Sequence, residues 1–254
     1  MKSLVKENMQ KQTKQGYSAI AREFSTTRER NWPEIVMLAD KYIKDGMKIL
    51  DLGCGNGRLY KVLQNRSIHY LGVDVNRHFV KIASAQYKQA AFACADLLRF
   101  SSDKTFDAIF ALAVMNHFPR VHHGLFMKKL TELTAPNGIV IMSNWNMWNF
   151  SNKKSFWRFL KDRIFLREKD FEAKYATSKN SLGWRDVLTV WKKENRTVIL
   201  PYYSFTLSQV KRYFRDFGFE MLQAGYFSFG KNSTWWKANN MVLVAKKLST
   251  HEKK

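Results

Sequence analysis

The residues best suited to chemistry begin with a glycine-rich stretch that follows an apolar segment. Ile49-Leu50-Asp51-Leu52 runs directly into Gly53-Cys54-Gly55-Asn56-Gly57. Glycines in this loop let the backbone approach a ligand closely, because no side chain occupies the space. Two more acidic residues end apolar segments downstream: Asp74, 23 residues after Asp51, and Asp96. Asp74 is suited to accept hydrogen bonds from both hydroxyls of a ribose, and Asp96 from an adenine amino group.

The spacing of the glycines separates two kinds of adenosine ligand. Gly-x-Gly-x-Gly differs from the Gly-x-Gly-x-x-Gly pattern that seats a pyrophosphate on a helix. A ligand with an adenosine end, an amino acid end and no phosphate fits better, and S-adenosylmethionine is such a ligand. Cys54 lies inside the loop, where a small buried thiol needs no redox role. The string ILDLGCGNG, followed by GVD and AD, resembles the class I S-adenosylmethionine-dependent methyltransferases.

The elements around these residues alternate between strand and helix. Apolar strands are predicted near 48–52, 70–73, 91–95, 106–112 and 139–142, with late strands at 219–228 and 240–246. Helices are predicted from Trp32-Pro33, over 58–63, 78–87, 122–133 and 207–217, and the sequence Ala135-Pro136-Asn137-Gly138 predicts a turn. This alternation predicts an α/β fold with a parallel, doubly wound, Rossmann-like sheet.

We expect a single methyltransferase domain over residues 1–254. Its predicted parts are an N-terminal helical cap (1–46), a cofactor-binding core (47–145), a substrate-side insertion (146–200), the end of the core (201–246) and a polar tail (247–254). The insertion breaks the strand–helix alternation with an aromatic and basic stretch. Phe156 and Phe159 at helical spacing are expected to be buried in a small core of its own.

Composition limits the class of protein. The 254 residues hold 43 Lys and Arg against 21 Asp and Glu, a net charge of +22, with 45% hydrophobic residues. Such a balance favours polyanions such as nucleic acid as partners. The two cysteines lack zinc-ligand spacing, so no metal is expected. The longest apolar run, 108–115, is too short to cross a bilayer, and no secretory signal is visible. We therefore expect a cytoplasmic protein without a membrane partner.

Further motifs narrow the family. Tyr17 to Arg28 with Trp32-Pro33, AVMNHF at 113–118, NWN at 144–146, DVLTVWK at 186–192 and YYSFT at 202–206 together resemble the tRNA wobble-uridine methyltransferases. The resemblance implies esterification of the carboxylate of a 5-carboxymethyl-type uridine in the tRNA anticodon loop. It also suggests a small activator subunit as a partner. Two departures stand out: Asn116 replaces the first of two histidines, and Pro201 to Ser204 replaces Arg-Tyr-Tyr-His.

A carboxylate acceptor is ionised at neutral pH, so the site needs groups that hold it rather than a strong base. The residues assigned to catalysis, with Arg28 as the expected carboxylate or phosphate clamp, are Arg28, Asn116, His117, Asn144 and Trp145. The expected cofactor-binding residues are Tyr17, Trp32, Asp51, Gly53, Cys54, Gly55, Asn56, Gly57, Asp74, Val75, Asp96, Leu97 and Ala113.

Residues 145–200 interleave thirteen Lys and Arg with eleven aromatic residues. Stacking on unpaired bases combined with phosphate neutralisation is how single-stranded RNA loops are held. The expected RNA or substrate contacts are Lys153, Lys154, Arg158, Arg163, Asp186, Trp191, Lys192, Tyr202 and Tyr203. Two alternatives stay open: a methyltransferase for small molecules such as quinone or lipid precursors, with the insertion as a hydrophobic lid, and a non-catalytic RNA-binding protein.

Overall fold

A computed structural model describes residues 32–150, 154–175, 177–193 and 196–249. The helices are α1 Pro33–Tyr42, α2 Tyr60–Leu63, α3 Arg77–Gln86, α4 His123–Leu133, α5 Lys154–Phe165, α6 Glu168–Tyr175 and α7 Leu207–Asp216. The strands are β1 Lys48–Leu52, β2 His69–Asp74, β3 Ala91–Cys94, β4 Phe106–Leu112, β5 Thr134–Trp145, β6 Val187–Lys193, β7 Arg196–Tyr202, β8 Phe219–Ser228, β9 Lys231–Asn232 and β10 Asn240–Lys247. Short 3-10 turns cover 115–117, 120–122 and 179–181.

Eight strands form one sheet in the order β3-β2-β1-β4-β5-β10-β8-β9. Strands β1 to β5 pair in parallel, whereas β10 lies antiparallel between β5 and β8. The carboxyl ends of the parallel strands therefore share one edge, where ligands bind in sheets of this kind. The predicted α/β, doubly wound fold class is confirmed.

Helices cover both faces of the sheet. On one face, α1 and α2 pack against Ile49, Phe110 and Val244. On the other face, α4 and α7 pack against Leu50, Ile109 and Leu243. Neighbouring residues of a strand thus enter opposite cores, as the alternation of side chains along a strand requires. The near-continuous apolar runs of β1 and β4 follow from this burial on both faces.

The boundaries differ from the predicted ones in three places. The predicted helix over 58–63 is helical only from Tyr60. The predicted turn at 135–138 lies inside β5, where Asn137 has a positive φ of 61° and the register with β4 shifts. Phe106 pairs with Thr134 and Ala108 with Ile139, so β5 holds three more residues than β4 over this stretch and accommodates the turn-type residues without ending the strand. β6 and β7 form an antiparallel hairpin that the sequence analysis did not identify.

The insertion has its own core. Phe156 and Phe159 of α5 are buried against Phe171 and Tyr175 of α6 and against the β6–β7 hairpin, as expected. Large apolar side chains also stay exposed, including Trp157, Phe165 and Trp184. The insertion thus buries one set of aromatic side chains and presents another to solvent.

Within the described ranges, no helix is long and apolar enough to span a bilayer. Most of the predicted cap, including Tyr17 and Arg28, lies outside the described residues, as do Lys153 and the end of the predicted tail.

Candidate active site

The glycine-rich loop turns sharply at the end of β1. Gly53, Gly55 and Gly57 all have positive φ, at 81°, 54° and 80°. A Cβ on Gly53 would lie 2.4 Å from a methyl group of Val114, whereas a Cβ on Gly55 would meet nothing within 4 Å. Gly53 is therefore required by packing, and Gly55 faces open space. This open side is the cradle that a ligand atom would fill, and the backbone there is free to approach it.

Asp51 lies beneath the loop. It is 2% exposed and accepts a hydrogen bond of 2.7 Å from the Tyr70 hydroxyl. Burial raises the pKa of Asp51 to about 7, with the Tyr70 hydrogen bond lowering it and the nearby Asp74 carboxylate raising it. Desolvation disfavours the charged form, which is the reason for this direction. A cation placed at the loop would restore the ionised form.

Asp74 ends β2 beside the same loop. One carboxylate oxygen accepts from the backbone N–H of Gly55 at 2.9 Å, and the other accepts from Asn76 at 2.8 Å. Burial raises the pKa of Asp74, against the lowering effect of these two bonds. Each oxygen keeps a further acceptor site, because a carboxylate oxygen has two lone pairs. Asp74 is thus fixed in orientation and able to accept two ligand hydroxyls.

The end of β3 contributes the third acidic residue. Asp96 is partly exposed, and its carboxylate accepts from the backbone N–H of Leu98 at 2.9 Å. Leu97 is buried in the core beneath α4 and α7. Val75 is partly exposed one residue beyond Asp74, and its carbonyl accepts a weak hydrogen bond from Cys94. Asn56 and Cys54 complete the loop, with Cys54 buried as expected.

Beyond β4 the chain adopts a strained turn. Ala113 has a φ of 57°, which is unusual for a residue other than glycine, and its N–H donates to the carbonyl of Ser143 at 2.9 Å. Such strain persists only where the surrounding structure enforces it. The turn carries Asn116 and His117 to the ligand-binding edge of the sheet.

Asn116 is fully buried and connects three chain segments. Its side-chain nitrogen donates to the carbonyl of Tyr203 at 2.9 Å, and its side-chain oxygen accepts from the N–H of Trp145 at 2.8 Å. The Tyr203 N–H also donates to the Asn116 carbonyl at 2.8 Å. Asn116 therefore positions the ends of β5 and β7, and these contacts assign it a holding role. A direct contact of Asn116 with cofactor or base stays a prediction.

The aromatic rings of Trp145, Tyr202 and His117 lie close to one another beside Asn116. Tyr202 stacks on Trp145 with centroids 5.1 Å apart, and the His117 ring lies 5.0 Å from Tyr202 and 6.4 Å from Trp145. Tyr202 and Tyr203 are buried, and burial raises the pKa of Tyr203. The sequence analysis assigned these residues from separate motifs, and the structure brings them together.

Asn144 precedes Trp145 at the end of β5. Its side chain is fully buried, and neither its amide oxygen nor its amide nitrogen finds a hydrogen-bond partner among the residues that the structure describes. Buried amide groups are almost always paired. Asn144 is therefore an unusual polar residue at the ligand-binding edge.

A cavity of about 450 Å³ opens next to these rings. Its lining includes Trp32, Glu34, Trp145, Phe156, Leu188 and Asn240. Trp32 also lies close to the end of the glycine-rich loop, because the guanidinium of Arg58, which follows Gly57, is 4.8 Å from the centre of the Trp32 ring. Glu34 is only 2% exposed, and sequence reasoning missed it because an acidic residue in a first helical turn has an ordinary local explanation. Asn240, at the start of a late strand, carried no signal.

The residues assigned to RNA contact fall into three groups. Arg158 is exposed on α5. Arg163 is half-buried and donates to the carbonyls of Leu182, Trp184 and Asp186. Asp186 is buried and accepts from Arg120 at 2.8 Å and from the N–H of Gly183 at 2.8 Å. Arg163 thus connects parts of the insertion to each other, whereas Asp186 joins the insertion to Arg120 of the core. The side chains of Lys154, Trp191 and Lys192 lie outside the described part of the chain.

Among the described residues, no cluster of His, Cys, Asp and Glu could hold a metal ion. The strand order, the glycine cradle and the acidic strand ends define a class I S-adenosylmethionine-dependent methyltransferase, and S-adenosylmethionine is its cofactor. A family model described as a methyltransferase domain matches residues 24–224. The chain belongs to this family, so the family resemblance and the cofactor that the sequence predicts are confirmed.

Similarity to characterised proteins extends to two kinds of methyltransferase. The mouse tRNA (carboxymethyluridine(34)-5-O)-methyltransferase ALKBH8 is 32% identical over 172 residues, which is 66% of this chain and 25% of that protein. The chain thus spans about a quarter of the length of that relative. The ubiquinone biosynthesis O-methyltransferase of Bradyrhizobium diazoefficiens is 29% identical over 115 residues, 44% of this chain and 43% of that protein.

Solved structures share the fold at low identity. The complex of DhpI with SAH superposes with a TM-score of 0.65 at 13% identity, covering 94% of this chain and 97% of that one. A putative methyltransferase of Haloferax volcanii, solved in complex with the Trm112 methyltransferase activator, gives a TM-score of 0.64 at 13% identity, covering 94% and 99%. At such identities these likenesses show the fold.

Proposed function

We propose that this protein acts as one methyltransferase domain that esterifies the carboxylate of a 5-carboxymethyl-type wobble uridine in the tRNA anticodon loop. The observation that carries the proposal is the convergence of His117, Trp145 and Tyr202 beside a cavity at the ligand-binding edge of the sheet. These residues come from three stretches that resemble the tRNA wobble-uridine methyltransferases. The mouse relative named above carries that activity in its name.

The chain's own residues would hold the cofactor in the following way. Asp74 accepts both ribose hydroxyls, since its two oxygens are already oriented by backbone N–H groups. Asp96 accepts from the adenine amino group, and Gly55 gives the amino acid end room above the loop. Asp51, Gly53, Cys54, Asn56, Gly57, Val75, Leu97 and Ala113 shape the surrounding pocket, with Tyr17 and Trp32 as its cap. When bound, S-adenosylmethionine supplies a methyl group activated by its sulfonium.

On the acceptor side, the residues orient a nucleophile that needs no deprotonation. A carboxylate with an ordinary pKa of about 4 is ionised at neutral pH, so placing it on the methyl axis supplies much of the rate. His117 donates a hydrogen bond to the carboxylate or to the uracil, and Arg28 clamps the anion. Asn116 keeps His117 and Trp145 in place. The unpaired side-chain amide of Asn144 is expected to hydrogen-bond to the acceptor or to the cofactor.

The RNA itself would lie along the insertion. Trp157 and Trp184 are 50% and 68% exposed, and the Arg185 guanidinium lies 4.8 Å from the Trp184 ring. Exposed aromatic rings next to cations suit unpaired bases and their phosphates. Lys153, Lys154, Arg158, Trp191 and Lys192 extend this surface. A Trm112-type activator as partner and a cytoplasmic location belong to the same proposal, the former supported by the Haloferax volcanii complex.

A small-molecule methyltransferase is the second candidate. The cavity is lined largely by apolar residues such as Met147, Phe156 and Leu188, which would suit a quinone or lipid precursor. Similarity to a ubiquinone biosynthesis enzyme also favours it. The net charge of +22 favours the polyanion instead.

The deciding experiment is transfer of labelled methyl groups to bulk tRNA that lacks wobble-uridine esters, followed by nucleoside analysis and mild alkaline treatment. Label on a uridine side chain that alkali releases supports the ester. Label in RNA that alkali does not release would mean that the protein methylates a different atom of the RNA. Label that enters quinone precursors but not tRNA overturns the tRNA proposal. The assay is run with and without a Trm112-type protein, so that a missing partner is recognised.

A further inference from the structure

Glu34 is a buried carboxylate that faces the acceptor cavity. One oxygen accepts from the side-chain nitrogen of Asn240 at 2.7 Å, and the other accepts from the N–H of Gly230 at 3.0 Å. Gly230 has a φ of 80°, and a Cβ there would lie 2.8 Å from Pro33. The turn between β8 and β9 therefore packs tightly on the start of α1. Glu34 is held from both sides and has little freedom to move.

This contact fixes the orientation of the Asn240 amide. An ionised carboxylate has only acceptors, so the nitrogen of Asn240, and not its oxygen, must face Glu34. An asparagine in a polar site can otherwise rotate by half a turn and exchange its donor and acceptor. Glu34 prevents that exchange, because rotation would bring the amide oxygen against a buried carboxylate.

The rest of the Asn240 amide is available to a ligand. Asn240 lines the cavity and pairs across the strands with Trp145, whose ring belongs to the aromatic cluster. Glu34 is the one described residue that hydrogen-bonds to its side chain. One N–H and the carbonyl oxygen therefore remain as a donor and an acceptor side by side. Such a pair matches a base edge that offers an acceptor next to a donor.

We propose that Asn240, locked by Glu34, reads the N3–H and O4 edge of a uracil ring and rejects cytosine. The proposal rests on the function proposed above. In this arrangement the acceptor carboxylate on C5 lies at the methyl axis, N3 faces the amide oxygen and position 4 faces the amide nitrogen. Uracil presents the N3–H donor and the O4 acceptor to this amide. Cytosine presents an acceptor at N3 and a donor at N4, so its acceptor faces the amide oxygen and its donor faces the amide nitrogen. Asn240 is the base-contacting residue, and Glu34 is a positioning residue.

The test uses two anticodon stem-loop RNAs that differ only in the modified wobble base, 5-carboxymethyluridine or 5-carboxymethylcytidine. Dissociation constants are measured with the full chain and saturating S-adenosylhomocysteine, and methyl transfer is measured in parallel. A bidentate pair discriminates by about tenfold or more. We expect the wild-type protein to prefer the uridine RNA by at least that factor, and Asn240→Ala to bind both RNAs within about twofold of each other.

Glu34→Gln is the sharper variant, because glutamine keeps the volume but has only one acceptor oxygen. The Gly230 N–H takes that oxygen, so the glutamine nitrogen faces Asn240 and favours the Asn240 amide turned by half a turn. We expect the uridine preference of this variant to be lost or reversed while cofactor affinity is retained. Asn149→Ala is the matched control. Its amide holds the neighbouring carbonyl of Lys237 and the side chain of Asn239 without lining the cavity. This variant should lose stability and keep the uridine preference.

The outcomes separate the two proposals. If the wild-type protein methylates the uridine RNA and Glu34→Gln keeps the full uridine preference, the proposed recognition of the base by Asn240 is overturned and the tRNA function is not. A wild-type protein that binds neither RNA and methylates neither overturns the tRNA function and the base reading together. If Asn149→Ala loses the uridine preference as Glu34→Gln does, the loss reflects a general structural effect, and the proposed recognition of uracil by Asn240 is overturned.

Discussion

The two halves of the site are assembled in different ways. On the cofactor side, contacts link neighbouring strand ends, such as Gly55 with Asp74, which lie 19 residues apart. On the acceptor side, Asn116 reaches Tyr203 across 87 residues, and Glu34 reaches Asn240 across 206. The cofactor half is therefore built by a few consecutive strand–loop units. The acceptor half depends on the whole chain folding around one edge of the sheet.

This difference separates what the two halves are free to change. The glycine cradle is constrained at each glycine by backbone geometry, because Gly53, Gly55 and Gly57 all have positive φ. The acceptor half instead uses side-chain amides that bridge distant segments. A single substitution of such an amide is expected to shift the positions of several residues at once. We expect cofactor binding to respond to local changes only, and acceptor selection to respond to changes anywhere in the bridging set.

The largest expected effect is on the cofactor side. Replacing Asp74 with alanine should remove the two charge-assisted hydrogen bonds that we propose it makes to ribose, each contributing about 1.5 kcal/mol. Cofactor affinity should fall about 100-fold by isothermal titration calorimetry. Asp107→Ala is the control, because among the described residues its carboxylate accepts from the N–H of Lys48, at the far end of β1. Cofactor affinity that survives in Asp74→Ala would contradict the ribose role.

A smaller effect tests the acceptor side. Asn116→Ala removes the side-chain hydrogen bonds to the Tyr203 carbonyl and from the Trp145 N–H, which should lower the free energy of unfolding by about 2 kcal/mol. Because the ends of β5 and β7 then separate, kcat/KM for the acceptor should fall about 30-fold, equivalent to about 2 kcal/mol. Cofactor affinity should stay within about twofold. Leu130→Ala, a core change on the buried face of α4, should lower stability comparably and leave kcat/KM for the acceptor near wild type.

The contrast also explains what the sequence could and could not predict. Asp74 and Gly55 were identified because each follows directly from a strand end and a glycine spacing. Glu34 has a local explanation as a first-turn acidic residue, so its approach to Asn240 was invisible until the chain was folded. Arg163 was expected to contact RNA because it lies in the basic stretch, yet its observed hydrogen bonds are made within the insertion, and the motif residue Asp186 joins the insertion to Arg120 of the core. The β6–β7 hairpin was missed because its two strands lie inside a stretch that was assigned as a whole to an aromatic and basic insertion, although the cations of the hairpin, Lys192, Lys193 and Arg196, gather at its turn.

A third prediction uses pH on the cofactor side. The pKa of Asp51 is raised to about 7, above its ordinary value, so its contribution to the stability of the cofactor-free protein is lost as pH rises from about 4 to 7. A cationic cofactor favours the ionised carboxylate. Affinity for S-adenosylmethionine should therefore strengthen roughly tenfold between pH 6 and 7.5. Calorimetry on Asp51→Asn should show a nearly flat dependence, and an equally steep profile in that variant would assign the titration to the ligand.

The smallest expected effect lies farthest from both halves, on the exposed face of α5. Arg158 is exposed beside Trp157, and the role that we propose for it is a single phosphate contact. Arg158→Ala should weaken tRNA binding about threefold at physiological salt and reduce the slope of log affinity against log salt by about one. Cofactor affinity should not change. Lys128→Ala on α4, an exposed cation outside the insertion, is the matched control and should leave the slope unchanged. Equal slopes for both variants would mean that RNA is attracted by net charge alone, and the insertion would then lose its claim as the RNA-binding surface.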